Sequence, residues 1–206
     1  MGFCLNGESI ALNTIYTARE NDVLHGAFAK QNARAYFQID GEFELAEIYG
    51  SQSAFPFQGL ESSMGSMIQK GALIEWKKSV DVLESVEPIF PGEYKQHIKI
   101  YKGPEFDCLS ARAILQMKSE YFSIGSDSNR MGARIRENVD HSKFKHLTSS
   151  VPVLPGFIQM TPEGQLIVVL QDGQTTGGYP RVAFIKQDDL NHFNQLGMNR
   201  AFRWRF

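Results

Sequence analysis

The chain has 206 residues, 42% hydrophobic and 12% aromatic, with 21 basic against 23 acidic side chains and a formal net charge of −2. That is room for one large or two small domains, and an aromatic content and charge balance that exclude a disordered chain. No basic excess points to nucleic acid, and no run reaches the roughly 18 apolar residues of a membrane span. Neither kind of partner is expected. The start, Met1 to Gly7, lacks the basic and apolar regions of a signal peptide. Cys4 and Cys108 are too far apart in sequence for a disulfide framework or a zinc knuckle, so reduced thiols in a cytoplasmic protein are expected.

In chain order, short strand-like runs separated by turn residues dominate, and 18 glycines accompany them. Ala35-Tyr36-Phe37-Gln38-Ile39 precedes Asp40-Gly41, a favoured hairpin turn, and Ala72 to Trp76 is a second run. Lys77 to Gln96, with Pro88 and Pro91-Gly92, has little periodicity and reads as a boundary. A cut near residue 90 gives domains 1–90 and 91–206. Beyond it, His97 to Tyr101 alternates as a half-buried strand does. Leu109 to Met117 is a candidate helix, and Glu120 to Ile124 a further strand. Leu166 to Leu170 is apolar throughout, as in the middle of a sheet or barrel. Val182 to Ile185 is similar. Gln187 to Leu196 reads as a helix capped by Asp188 or Asp189 and stopped by Gly197. Arg200 to Phe206 reads as a final strand with alternating charged and aromatic faces. The fold class is mainly β with few short helices.

Standard catalytic motifs are absent: there is no phosphate loop, no Gly-x-Gly-x-x-Gly after a strand and no nucleophile elbow. His25, His97, His141, His146 and His192 show no metal-ligand spacing, so no metal is expected. Two polar clusters remain. Gly125 to Arg134 holds turn-forming Ser126, Asp127, Ser128 and Asn129 beside Arg130 and Arg134. The forked donors of the two arginines match a carboxylate, carbamate or phosphate, while a plain β-turn with two solvated arginines explains them equally. The second cluster runs from Val153 to Gln159 and, after the apolar run, from Gln171 to Pro180. Here Thr175 and Thr176 supply hydroxyls, and Gly177 and Gly178 let backbone N–H groups approach a ligand. A capped hairpin loop is the competing explanation. Asp172 and Gln159 are placed to orient a polar group.

In this order the clusters resemble the biotin-dependent carboxyltransferase family, also called the KipA or allophanate hydrolase subunit 2 family. Ser126 to Arg134 is similar to its Ser-x-Asp-Arg-Met-Gly-x-Arg, Pro155 to Gln159 to its Pro-Gly-x-Ile-Gln, and Asp172 to Pro180 to its Asp-x-Gln-Thr-Thr-Gly-Gly-Tyr-Pro. Arg34-Ala35-Tyr36-Phe37, Gly50-Ser51-Gln52-Ser53 and Gly103-Pro104-Glu105 resemble further family segments. Ala54 replaces a family threonine, and Gly65 to Ile68 with Gly71-Ala72 departs from the segments that close the first barrel. The family's Gln-Asp-x-Gly-Arg opening is also missing, so the chain is expected to begin inside the first barrel.

The resemblance implies tandem cyclophilin-like β-barrels, the first incomplete. It implies an ATP-dependent 5-oxoprolinase-type complex that opens 5-oxoproline to glutamate, with ATP used by the complex and a KipI-like chain as its other component. Alternatives are carboxyl transfer to urea from carboxybiotin carried by another chain, and non-enzymatic regulation of a KipI-like protein. For a small amide or urea-like substrate, Arg130, Gln159 and Thr176 are the implied catalytic residues, since an activated carbonyl calls for donors facing an oxyanion. Ser126, Asp127, Met131, Gly132, Thr175, Gly177, Gly178 and Tyr179 are the implied substrate-binding residues.

Overall fold

A computed structural model describes residues 2–26, 33–45, 47, 50–53, 68, 70–78 and 95–206. The strands, in chain order, are β1 (Phe3–Leu5), β2 (Glu8–Ile10), β3 (Leu24–Gly26), β4 (Gly41–Phe43), β5 (Trp76–Lys78), β6 (His97–Lys102) and β7 (Phe122–Ser123). They continue with β8 (Gly132–Asn138), β9 (Val151–Pro152), β10 (Phe157–Met160), β11 (Gln165–Val169), β12 (Thr176–Gly177), β13 (Arg181–Ile185) and β14 (Ala201–Arg205). Two α-helices occur among the described residues, α1 (Ala111–Ser119) and α2 (Gln187–Asn194). The protein is mainly β, as expected.

The described residues fall into two compact units, one within Met1–Ile10, Asn21–Ala35 and Pro88–Phe206, the other within Ala11–Glu20 and Tyr36–Glu87. The expected cut near residue 90, with Pro88 and Pro91-Gly92, lies outside the described residues, as do Ala54 and Gly65 to Met67. In the smaller unit β4 pairs with β5, Gly41 opposite Lys78 and Phe43 opposite Trp76. This corrects the reading of 35–39 as a strand turning at Asp40-Gly41 and of 72–76 as a second strand. Tyr36, Phe37 and Leu73 are exposed, so apolar runs there lack the buried face that alternation assumed. Gly41 instead lets strands approach, because a Cβ on it would lie 2.3 Å from the Lys77 carbonyl oxygen.

The larger unit contains a seven-stranded sheet in the order β7-β14-β6-β13-β10-β11-β8. The pairs within it are antiparallel apart from β14 beside β6. An antiparallel bridge from Ile124 to Ile135 joins the two ends, so the sheet is a nearly closed barrel. Alternate residues fill it: Ile98 and Ile100 from β6, Ile135 from β8, Ile158 and Met160 from β10, Leu166 and Val168 from β11. Phe202 and Trp204 from β14 meet Phe193 of α2, with the Phe202 and Trp204 rings edge to face at 4.7 Å. Apolar β11 runs between β10 and β8, as its sequence required.

Ser110 caps α1, its hydroxyl accepting from the Ala113 N–H while donating to Asp140. The expected cap of α2 is corrected. The helix starts after Lys186 with no side-chain cap, and Asp189 accepts instead from the Lys99 N–H (2.8 Å) and Lys95 Nζ (2.9 Å). Burial pushes the Asp189 carboxyl up, but these donors outweigh it and leave it below its ordinary value.

The barrel seam rests on a carboxylate. Glu137 accepts from the Ser123 N–H at 2.6 Å and from its hydroxyl at 2.7 Å, next to the Ile124 bridge. Glu137→Ala leaves two nearly buried donors without this acceptor, and we expect a loss of about 1–3 kcal/mol. Urea unfolding measures it, with exposed Glu120→Ala as a control expected within about 0.5 kcal/mol of the parent.

Candidate functional site

The motif segments come together on the outer face of the barrel. Gln171 to Pro180 leaves the end of β11 and runs back over β10 to the opposite end, where β13 begins. It is fastened along its course. Arg130 Nε meets Asp172 Oδ2 at 2.7 Å, and the Leu170 N–H donates to the Met131 carbonyl. The Val153 N–H donates to the Thr175 carbonyl, and β12 pairs with β9, Thr176 opposite Pro152. Finally the Met160 N–H donates to the Pro180 carbonyl.

Gln159 lies beneath this overhang. Its neighbours Ile158 and Met160 point into the barrel, so its side chain points out. It is nevertheless 1% exposed, because Nε2 donates to the Tyr179 carbonyl at 3.2 Å and the segment covers it. Gly177 makes that cover possible: a Cβ there would lie 2.8 Å from Gln159 Nε2. Gln159 therefore holds the overhang rather than presenting its amide to solvent. Thr175, Thr176, Gly178 and Tyr179 form its exposed outer surface.

The first cluster is a turn knit by its own side chains. Asn129 Oδ1 accepts from the Met131 N–H (2.8 Å) and the Gly132 N–H (3.2 Å), and Ser128 Oγ accepts from the Arg134 N–H. Asp127 pairs with Arg134 at 3.5 Å. Ser126 and Met131 are exposed, and Gly132 opens β8 opposite Val169. Arg130 is exposed with its guanidinium already engaged by Asp172. The turn joins the overhang through Arg130 and Met131, so both clusters belong to one surface. Among the other family-like segments, the Arg34 N–H donates to Gln195 Oε1, while Gln52 Nε2 donates to the carbonyls of Phe43 and Leu45.

A pair that sequence reasoning missed anchors this surface. A bulge in β13, where Ile158 faces Ala183 but Gln159 faces Arg181, turns Arg181 to the outer face beside Gln159. Its backbone N–H and Nε donate to Glu105 Oε2, Nη2 donates to Oε1 at 2.7 Å, and Nη1 donates to the Pro152 carbonyl. The guanidinium also lies 5.5 Å over the Phe157 ring. Gly103 permits the approach, since a Cβ would lie 2.1 Å from the Arg181 carbonyl oxygen. Arg181 holds the Glu105 carboxyl below its ordinary value against the pull of burial, and Glu105 raises Arg181. Gly103-Pro104-Glu105 was visible as a segment, but its partner 76 residues away was not.

Since Glu105 has a depressed pKa in the fold, its contribution is full above the ordinary glutamate range and fades as pH falls through the folded value. At pH 7 we expect Glu105→Gln to cost about 1–3 kcal/mol. Urea midpoints of parent and variant should converge as pH is lowered to a value well below the ordinary glutamate range. A gap of constant size down to that pH contradicts the assignment.

With this geometry in place, comparison with known proteins is informative. The whole chain, residues 1–206, matches the family described as carboxyltransferase domain, subdomain A and B. It is 29% identical over 174 residues to the C subunit of 5-oxoprolinase from Escherichia coli K12, covering 83% of this chain and 55% of that one. It is 25% identical over 189 residues to the C subunit of 5-oxoprolinase from Haemophilus influenzae, covering 92% and 61%. The chain thus spans little more than half the length of these relatives. The fold is similar to the crystal structure of the K. lactis urea amidolyase, with a TM-score of 0.80 and 20% identity over 98% of this chain and 14% of that one. A match from the first residue to the last establishes that the chain belongs to the carboxyltransferase domain family, subdomains A and B.

Proposed function

We propose that the chain is a subunit of an ATP-dependent 5-oxoprolinase-type complex that opens 5-oxoproline to glutamate. The observation that carries this reading is the fastened overhang of Gln171 to Pro180, which exposes the hydroxyls of Thr175 and Thr176 with Gly178 and is tied at its Asp172 end to Arg130. Likeness to two relatives named as the C subunit of 5-oxoprolinase supplies the substrate class.

Opening a lactam breaks its C–N bond. The carbonyl carbon takes the oxygen of water and the nitrogen takes a proton, while charge builds on the carbonyl oxygen on the way. Donors fixed toward that oxygen stabilise the transition state more than the ground state. Thr176 and the Gly177-Gly178 backbone are the donors of the overhang. Arg130 is a permanent cation held in place by Asp172, and Tyr179 and Thr175 shape the surface around the ring. Ser126, Asp127, Met131 and Gly132 form the adjoining edge, and Gln159 keeps Tyr179 in place from below. ATP is assigned to the complex, with a KipI-like chain, its B subunit, as partner, and no residue of this chain is assigned to the nucleotide.

The family's carboxyltransferase description favours a second reading, in which carboxybiotin on another chain delivers its carboxyl group to urea at the same surface. An arginine and backbone N–H groups suit a carbamate as well as an oxyanion.

The test uses the assembled complex with ATP and measures glutamate released from 5-oxoproline. Arg130→Ala and Thr176→Ala are each expected to lower kcat by about ten- to a hundredfold, while the complex elutes intact. Unchanged release in both variants sinks the proposal. Inert 5-oxoproline, with urea-dependent consumption of carboxybiotin, selects the second reading.

A further inference from the structure

Outside the motif loops, the outer face of β6 and β14 carries cations that meet no carboxylate among the described residues. Ile98, Ile100, Phe202 and Trp204 face the core, so His97, Lys99, Arg203 and Arg205 face outward. The parallel register sets Arg203 opposite His97 and Arg205 opposite Lys99. Arg205 and Lys99 are thus like charges directly across a ladder, which repel, and the sequence keeps them. Lys118, from the last turn of α1, brings a further ammonium group to the same place. Together His97, Lys118, Arg203, Arg205 and Phe206 rim an open depression of about 420 Å³, within the usual size of small-molecule sites.

Among the described residues, Lys118, Arg203 and Arg205 form no ion pair, whereas Lys95, Arg130, Arg134, Arg181 and Lys186 each meet a carboxylate. Aromatic rings orient the cations without neutralising them. The Arg203 guanidinium lies 4.0 Å over the Tyr121 ring, and Lys118 Nζ lies 5.5 Å from the Phe206 ring centre. Arg203 Nε is buried and has no acceptor. Three cations that meet no carboxylate among the described residues, gathered at one depression, suit an anionic ligand.

We propose that this depression binds the phosphate group of a small anion. Two arginine forks on one strand face supply directional donors and Lys118 a point charge. Gathering several cations in one place suits a dianion better than a single carboxylate. The ring of Phe206 offers a flat support to the rest of the ligand. This site is separate from the overhang and does not depend on the reaction proposed there.

The experiment uses the full chain, observing arginine Nε–H resonances while inorganic phosphate is added at constant ionic strength balanced with sodium chloride. Saturable shifts at Arg203 and Arg205 are expected. Arg203→Gln and Lys118→Gln should each weaken the apparent affinity about tenfold, with unchanged circular dichroism and melting temperature. A parallel titration with ADP identifies the source: tighter binding than phosphate indicates a nucleotide, equal binding the free ion. Shifts that stay linear, or that neither variant alters, overturn the proposal. Saturation by polyglutamate but not by phosphate also overturns it and assigns the face to an acidic protein.

Discussion

The candidate surface depends on one bidentate pair. Arg181 reaches Glu105 through three donors and the Pro152 carbonyl through a fourth, tying the start of β13 to the turn after β6 and to β9. That junction is where Gln171 to Pro180 ends, so it fixes one terminus of the overhang. The value of such a partly buried pair lies more in geometry than in net stability, because desolvation cancels much of its attraction. Two local departures make it possible. Gly103 lets the backbone press against β13, and the bulge rotates Arg181 to the outer face.

The other terminus is held by a different pair, Arg130 with Asp172, and the middle by β9 with β12. A connection of this length crossing the outside of a barrel would otherwise be a mobile loop. Here backbone hydrogen bonds and one buried amide pin it, which gives the exposed threonines a rigid base. Gln159 shows how this works. An outward amide on a strand normally faces water, yet it is covered and spends its donor on the Tyr179 carbonyl. Gly177 is the residue small enough to lie over it.

Much of the barrel was legible in sequence because its strands alternate or are wholly apolar. β6, β11 and β13 lie close to their expected limits, and the end of the chain forms β14. Runs such as Ala35 to Ile39 carried the same composition without a partner to bury them, so propensity alone misplaced the strand by several residues. Asp189 looked like a helix cap, but a carboxylate near a helix start has other donors available, and the Lys99 N–H took it. The motifs marked two separate clusters, which the fold joins through Arg130 and Met131. They did not reveal that Gln159 is covered, since period-two reasoning tells which side a residue faces and not what lies over that side. Arg181 with Glu105 was invisible for a simpler reason: no local pattern links residues 76 positions apart.

The net charge of −2 conceals an uneven distribution. Each arginine that lies in or beside the motif loops is matched: Arg130 with Asp172, Arg134 with Asp127, Arg181 with Glu105. Those loops therefore present oriented dipoles and hydroxyls, with little uncompensated positive charge. On β14 the arrangement is reversed: Arg203 stacks on Tyr121, and among the described residues neither it nor Arg205 meets a carboxylate. A ladder that sets cation against cation is a local conflict, and folded sequences tend to keep such conflicts where a ligand resolves them. The barrel thus separates by face what its composition averages away: compensated polarity over β10, and positive charge in excess along β14.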